Sequence, residues 1–95
     1  MIVAQVWTNR VKNTHESGTR RKAWLREMGS KGKIIMAGRY PDYSGGINVW
    51  KVDNLQEAEA IVADDPSVKE GLIDYFLKEW MVGFNYTVNP PRVVS

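Results

Sequence analysis

Two side chains in this 95-residue chain stand where acid–base chemistry could be done. The first is Asp65, in the run Asp64-Asp65-Pro66, between an alanine-rich amphipathic segment and a later apolar run. Pro66 lacks an N–H and restricts the residue before it, so a helix cannot run through and the chain turns there. A carboxylate held at such a turn has two uses. Partly buried, it can accept a proton or orient a base, because burial favours its neutral form. Alternatively, it caps the turn after Pro66 by accepting a backbone N–H. The second is His15, the one histidine. Imidazole is the side chain whose ordinary titration falls near neutrality. His15 lies in a polar stretch, where a catalytic role and a solvated one are both open.

A second constellation is Arg39, Tyr40, Tyr43 and Trp50. The aromatics flank a hairpin and could wall a pocket for a flat ligand, with Arg39 holding its acid group. They could equally pack at a sheet edge or a subunit seam. Trp7 and Trp80 read as core or interface. One histidine and scattered carboxylates have no metal-ligand spacing. Gly45-Gly46 lacks the following helix and lysine of a phosphate loop. No metal or cofactor is expected.

These residues must be positioned by a small set of elements. Ile2 to Thr8 reads as a strand, rich in β-branched residues. Asn9 to Gly18 reads as a loop that carries His15. Thr19 to Lys31 reads as a helix, with Ser17 or Thr19 as its cap and Ala23, Trp24, Leu25 and Met28 as its apolar stripe. Gly29 and Gly32 mark its end. Lys33 to Arg39 is a second strand, whose near-continuous Ile34-Ile35-Met36-Ala37 suggests burial on both faces. Tyr40 to Gly46 reads as a hairpin connection and Ile47 to Val52 as the third strand. Asn54 caps a helix from Leu55 to Asp64, with Leu55, Ala58, Ile61 and Val62 on one side. Leu72 to Tyr86 reads as a long last strand, bent near Gly83.

The order β-α-β-β-α-β predicts an α+β, ferredoxin-like fold: a four-stranded antiparallel sheet with both helices on one face. The uncovered face is also apolar, so a second copy is the expected cover and a homodimer the expected state. Residues 1–88 read as one domain and 89–95 as a tail whose Pro90-Pro91 precludes a helical start.

Composition narrows the function classes. A chain this size buries roughly 60–65% of the surface its unfolded form exposes, enough for one core. Ten aromatics, four of them tryptophan, are many for that core, so some should serve a pocket or an interface. Thirteen basic and eleven acidic residues make a mixed surface with net charge +2. The basic cluster around Arg20-Arg21-Lys22 is too small for a nucleic-acid patch. There is no cysteine, which excludes disulfides and thiol chemistry and fits a cytoplasmic setting. No run approaches the roughly 20 apolar residues of a membrane span. The opening Met1-Ile2-Val3-Ala4 shows no signal peptide, and the sequon Asn85-Tyr86-Thr87 reads as a chance match.

Several motifs together resemble the YCII-related family. They are Gly32-Lys33-Ile34-Ile35-Met36-Ala37-Gly38, Gly45-Gly46 with its following strand, and the helix Leu55-Gln56-Glu57-Ala58-Glu59-Ala60 leading to Asp65-Pro66 and Gly71-Leu72. Trp80, near the end of the last strand, adds an aromatic where the family often has one. The resemblance covers roughly residues 2 to 84. It implies a dimeric α+β barrel, with a site between helices and sheet that pairs a histidine with the aspartate of Asp-Pro. Relatives with assigned chemistry act as lyases or isomerases on small, often aromatic or lactone-like molecules. Asp65 matches the family aspartate. The family histidine lies eleven residues before the glycine that opens the second strand, and counting back from Gly32 gives Arg21. An arginine stays protonated and cannot take a proton near neutral pH. Beside Asp65 it would form an ion pair and a site for an anionic ligand. On a solvated helix face with Arg20, Lys22 and Arg26 it would do neither.

Two functions are consistent with these residues. One is a cofactor-independent lyase or isomerase moving a proton on a small acidic or aromatic molecule. Asp65 and His15 would be its acid–base groups, Arg21 or Arg39 would hold the substrate's acid group, and Tyr40, Tyr43 and Trp50 would wall the pocket. The other is a non-catalytic homodimer that binds a small ligand or a protein. The neighbours of Asp65 discriminate: His15 within reach and a cavity beyond it favour the enzyme, whereas backbone N–H partners and a solvated His15 favour the binding module.

Overall fold

A computed structural model describes residues 1–12 and 14–85. The elements are β1 (Ile2–Asn9), α1 (His15–Ser30), β2 (Ile34–Arg39), β3 (Gly45–Lys51), α2 (Leu55–Ala63), the short α3 (Pro66–Lys69) and β4 (Ile73–Glu79). The strands make one antiparallel sheet in the order β2-β3-β1-β4. This is the expected ferredoxin-like arrangement, with α3 as an addition. Opposed residues share a face, and Val3↔Trp50, Gln5↔Asn48 and Trp7↔Gly46 all point to the helices. The core there is Val3, Met28, Trp50, Val52, Ala58 and Val62, with Trp24, Leu55 and Leu77 packed on it. Both helices contribute, so both lie on one face of the sheet.

Helix α1 starts four residues earlier than its sequence suggests. Thr14 is the cap: its hydroxyl accepts from Ser17 N at 3.1 Å, and Thr14 N donates to the Ser17 hydroxyl at 3.2 Å. This reciprocal box satisfies two of the helix's free donors. It carries the helix through Gly18, a residue that disfavours a helix interior by about 1 kcal/mol relative to alanine. His15 therefore sits in the first helical turn, not in a loop.

Strand β3 also starts earlier, at Gly45. Neither Gly45 nor Gly46 has a positive φ; what they supply is close approach. A β-carbon on Gly46 would collide with the Gly38 carbonyl oxygen and the Trp7 ring, and one on Gly45 with the Trp7 carbonyl. The expected strand to Tyr86 ends instead at Glu79, because its one neighbour, β1, runs out: Val3↔Glu79 is the last pair and Trp80 N donates to Ile2 O at 2.9 Å. The tail, 89–95, lies outside the described residues.

In β2, Ile34 opposes Trp50 but Met36 opposes Val49, a bulge at Ile35. The extra residue inverts the parity of the rest of the strand. Ala37 and Arg39, opposite Asn48 and Gly46, are thereby turned to the helix side. Met36 is turned to the open face, and Ile35 to Arg39 are exposed within one chain rather than buried on both sides.

The start of β2 is tied to α2 by Lys33 Nζ and Glu57 Oε2 at 2.6 Å, while Glu57 Oε1 accepts from Asp53 N at 2.7 Å. The lysine hydrogen bond, then the Asp53 N–H, hold the Glu57 carboxyl below its ordinary 4.5. The same hydrogen bond raises Lys33 above its ordinary 10.5. A depressed carboxylate stabilises the fold above its unfolded value and loses that effect as pH falls through the folded one; a raised lysine does the reverse at high pH. The stability difference between wild type and Glu57→Gln, measured by denaturant unfolding, should be constant near neutrality. It should vanish as pH falls below 4.5. A difference that persists at pH values where Glu57 is protonated in both states would show that packing, not charge, carries it.

Candidate functional site

Asp65 is fully buried, and both of its oxygens are taken. Oδ1 accepts from Ser67 N at 2.8 Å, capping α3 across Pro66. Oδ2 accepts from Arg21 Nε at 3.1 Å. The two uses weighed for this residue, cap and partner to a functional side chain, are thus met by different oxygens. Arg21 is itself buried, with its guanidinium carbon 4.1 Å from the centre of the Trp7 ring. Carboxylate below and indole beside it fix the guanidinium plane.

Arg21 forms part of the wall of a cavity of about 270 Å³ between α1 and the β2 side of the sheet. Gly18, Arg21, Lys22 and Leu25 come from α1, at spacings of three and four that share a helix face. Trp7, Asn48, Ala37, Gly38 and Arg39 complete it from the sheet. The lining holds three cationic side chains and no acidic one. Gly18 keeps the cavity open: a β-carbon there would meet nothing within 4 Å.

Asn48 reaches the cavity, and behind it lie Gln5 and Trp50. Trp50 Nε1 donates to Gln5 Oε1 at 2.9 Å and fixes Gln5 as an acceptor there. The Asn48 amide then has two settings. In one, its Nδ2 donates to Gln5 Oε1 at 3.0 Å. In the other, its oxygen accepts from Arg21 Nη2 at 3.2 Å and its nitrogen donates to Ile47 O at 3.0 Å. Only the second setting gives Arg21 an acceptor on Asn48. Gln5 Nε2 and Trp7 Nε1 are buried without a hydrogen-bond partner among the described residues.

The remaining expected site residues lie elsewhere or only partly on this cavity. His15 is exposed on the first turn of α1 and makes no side-chain hydrogen bond to Asp65. Six helical positions separate it from Arg21, about 9 Å along the axis and some 120° around it, so a helix that starts at His15 cannot fold its imidazole in beside Asp65. Trp50 does not wall the cavity. It is fully buried in the core, 5.5 Å from Trp24, because the β3 register sets it opposite Val3 beneath the helices. Tyr40 and Tyr43 are exposed at the hairpin and line none of this cavity. Arg39 does line it, and its guanidinium lies 4.1 Å from the Tyr43 ring centre. Trp80 is exposed. Gly18, Lys22, Leu25 and Asn48 were not singled out from sequence. A glycine inside a helical pattern was the available signal for the first.

Among the described residues no group of three or more histidine, aspartate or glutamate side chains gathers as a metal site. No helix is long and apolar enough to cross a membrane.

The Asp-Pro aspartate is thus bonded to the first helix through Arg21, beside a small cavity on this topology. The YCII-related domain matches residues 1–81, and the chain belongs to that family. Two solved structures share the fold. One is a 5-chloro-2-hydroxyhydroquinone dehydrochlorinase (TftG) from Burkholderia phenoliruptrix AC1100, complexed with 2,5-dihydroxybenzoquinone. It has a TM-score of 0.68 at 20% identity, over 87% of this chain and 96% of that one. The other, a muconolactone isomerase, has a TM-score of 0.68 at 13% identity, over 100% of this chain and 97% of that one. No curated protein matches.

The ion pair makes a direct prediction. Removing one partner of a buried pair leaves the other uncompensated and typically costs about 3–5 kcal/mol. Arg21→Met should lose that much in denaturant unfolding. Adding Asp65→Asn, which keeps an oxygen for Ser67 N, should restore more than half of it. A loss below about 1 kcal/mol in the single variant would show that the pair is not what holds α1 to α3.

Proposed function

We propose that this YCII-family chain binds a small acidic molecule in the cavity beside Arg21. The observation that carries the reading is an open space walled by Arg21, Lys22 and Arg39 and by no carboxylate. Arg21 is presented to it by Asp65 from behind. A guanidinium held in one plane suits a carboxylate, phenolate or enolate oxygen. The neighbours of Asp65 lean the same way: it is bonded to a backbone N–H and to arginine, and His15 is solvated.

A second reading is favoured by the fold's neighbours, a dehydrochlorinase and an isomerase. Cations placed where charge develops on oxygen would assist lyase or isomerase steps too. The proton acceptor of such a step is not among the cavity-lining residues, whose ionisable members are all cationic. Binding is therefore the reading preferred, and a chain without cysteine fits a reducing cytoplasm for it.

We also propose that the protein works as a homodimer. Across the open face, Gly38, Ile47, Val6 and Phe76 stand in one cross-strand row and Met36, Val49, Ala4 and, at its β4 end, Lys78 in the next. Met36, Ile47 and Phe76 are exposed at 55%, 44% and 54%. A sheet with one solvated face ordinarily alternates apolar and polar residues, and this one does not. A second copy, sheet to sheet, would cover it.

Two experiments test these readings. Gly18→Leu fills the cavity from a position that touches nothing else. It should raise stability by roughly 0.5–1 kcal/mol, because glycine disfavours a helix interior, and abolish binding of benzoate measured by calorimetry. A folded Gly18→Leu protein that binds benzoate as wild type does would remove the cavity from the account. Sedimentation at micromolar concentration should give twice the mass of one chain, and Phe76→Lys should return it to a monomer. A wild-type monomer there would refute the dimer.

A further inference from the structure

The charge around the cavity is larger than one carboxylate needs. Of its three cations, Arg21 is neutralised by Asp65 at 3.1 Å. Lys22 and Arg39, like Lys12, Arg26, Lys51 and Lys78, have no carboxylate partner among the described residues; of these six, Lys22 and Arg39 are the two that line the cavity. They enter the lining from opposite layers, Lys22 from α1 and Arg39 from β2. Arg39 is there because of the bulge at Ile35, which turns it to the helix side. Between the charged groups the wall is Leu25, Ala37 and Gly38. The volume, about 270 Å³, equals roughly nine waters of liquid.

Resting on the reading of this cavity as an acid-binding site, we propose that its ligand class is a small dianion with an apolar middle: a short dicarboxylate or its equivalent. One acid group meets Arg21, whose Nη1 has no hydrogen-bond partner among the described residues. The other meets Arg39 and Lys22. A monoanion would satisfy one end and leave two cations facing each other's field without a counter-charge. A dianion compensates both within one cavity, at the reduced effective dielectric of a protein surface. The apolar spacer covers Leu25 and Ala37. Arg39 need not be built afresh for this: it is held over Tyr43 at 4.1 Å and keeps that stack while its outer edge takes the acid.

The test compares isophthalate with benzoate, the same ring with two carboxylates or one, by titration calorimetry on the full chain at low salt. Isophthalate should bind about tenfold tighter or more. In Lys22→Gln/Arg39→Gln the ratio should fall below about threefold, and in wild type it should shrink as salt is raised. Equal affinities in wild type, both abolished by Gly18→Leu, would overturn the dianion assignment and leave the cavity as an acid site. A preference for isophthalate that survives Lys22→Gln/Arg39→Gln would overturn it as well. No binding of either probe at millimolar concentration would overturn the cavity reading itself and the dianion with it.

Discussion

The buried pair of Arg21 and Asp65 is the contact from which the rest of the site is arranged. A carboxylate with no exposure is tolerated in a small domain when a counter-charge and hydrogen bonds satisfy it. Asp65 has both, and they come from different places in the chain. Ser67 N is local, two residues on; Arg21 is 44 residues away on α1. The pair therefore fixes one turn of α1 against the start of α3. The neighbouring Arg20 bridges to Glu70 at 2.7 Å at the surface, but such exposed pairs are worth little. Orientation comes from the inner pair, and its by-product is a guanidinium aimed out of the protein into a cavity.

The residue type at position 21 decides what this arrangement can do. An imidazole beside the aspartate would exchange protons, with the carboxylate tuning it. A guanidinium does not exchange protons at neutral pH, so the same carboxylate becomes a positioning group for a fixed positive charge. The surroundings agree with that role: Trp7 flanks the guanidinium, and Lys22 and Arg39 join it on the cavity wall. The cations would be unfavourable around a group required to become positively charged during a reaction. They are consistent around one that holds an anion.

Much of the frame was legible in the sequence because it rests on local signals. The β-α-β-β-α-β order, the Asn54 cap and the turn at Asp65-Pro66 follow from periodicity and capping chemistry, and the structure has each. The errors have two causes: a local capping box at Thr14 passed over, and tertiary contacts that used residues against their local preference. Ser17 and Gly18 look like the approach to a helix, yet the Thr14 box carries the helix through them, and Gly18 comes to line the cavity. Gly45 and Gly46 look like a turn, yet they are strand residues that let Trp7 and β2 come close. Trp50 looks like a pocket wall beside the hairpin, but register with Val3 sends it into the core. His15 drew attention as the lone imidazole, and no local signal says that it would point to solvent.

The bulge at Ile35 shows why the site resisted reading. A strand read at strict period two puts Ile34, Met36 and Gly38 on one face and Ile35, Ala37 and Arg39 on the other. With one extra residue, Ile34 stays under the helices and Ala37 and Arg39 join it, while Met36 goes to the open face. One irregularity thus gives β2 two tasks. Its first half adds an apolar residue to the core margin, and its second half delivers a cation and a low wall to the cavity. No residue type in Ile34-Ile35-Met36-Ala37 announces this, since all four are apolar and suit either face. The bulge also explains how a strand at the sheet's edge can carry function: its outer backbone groups are not needed to pair β3, so an inserted residue disturbs one ladder instead of two.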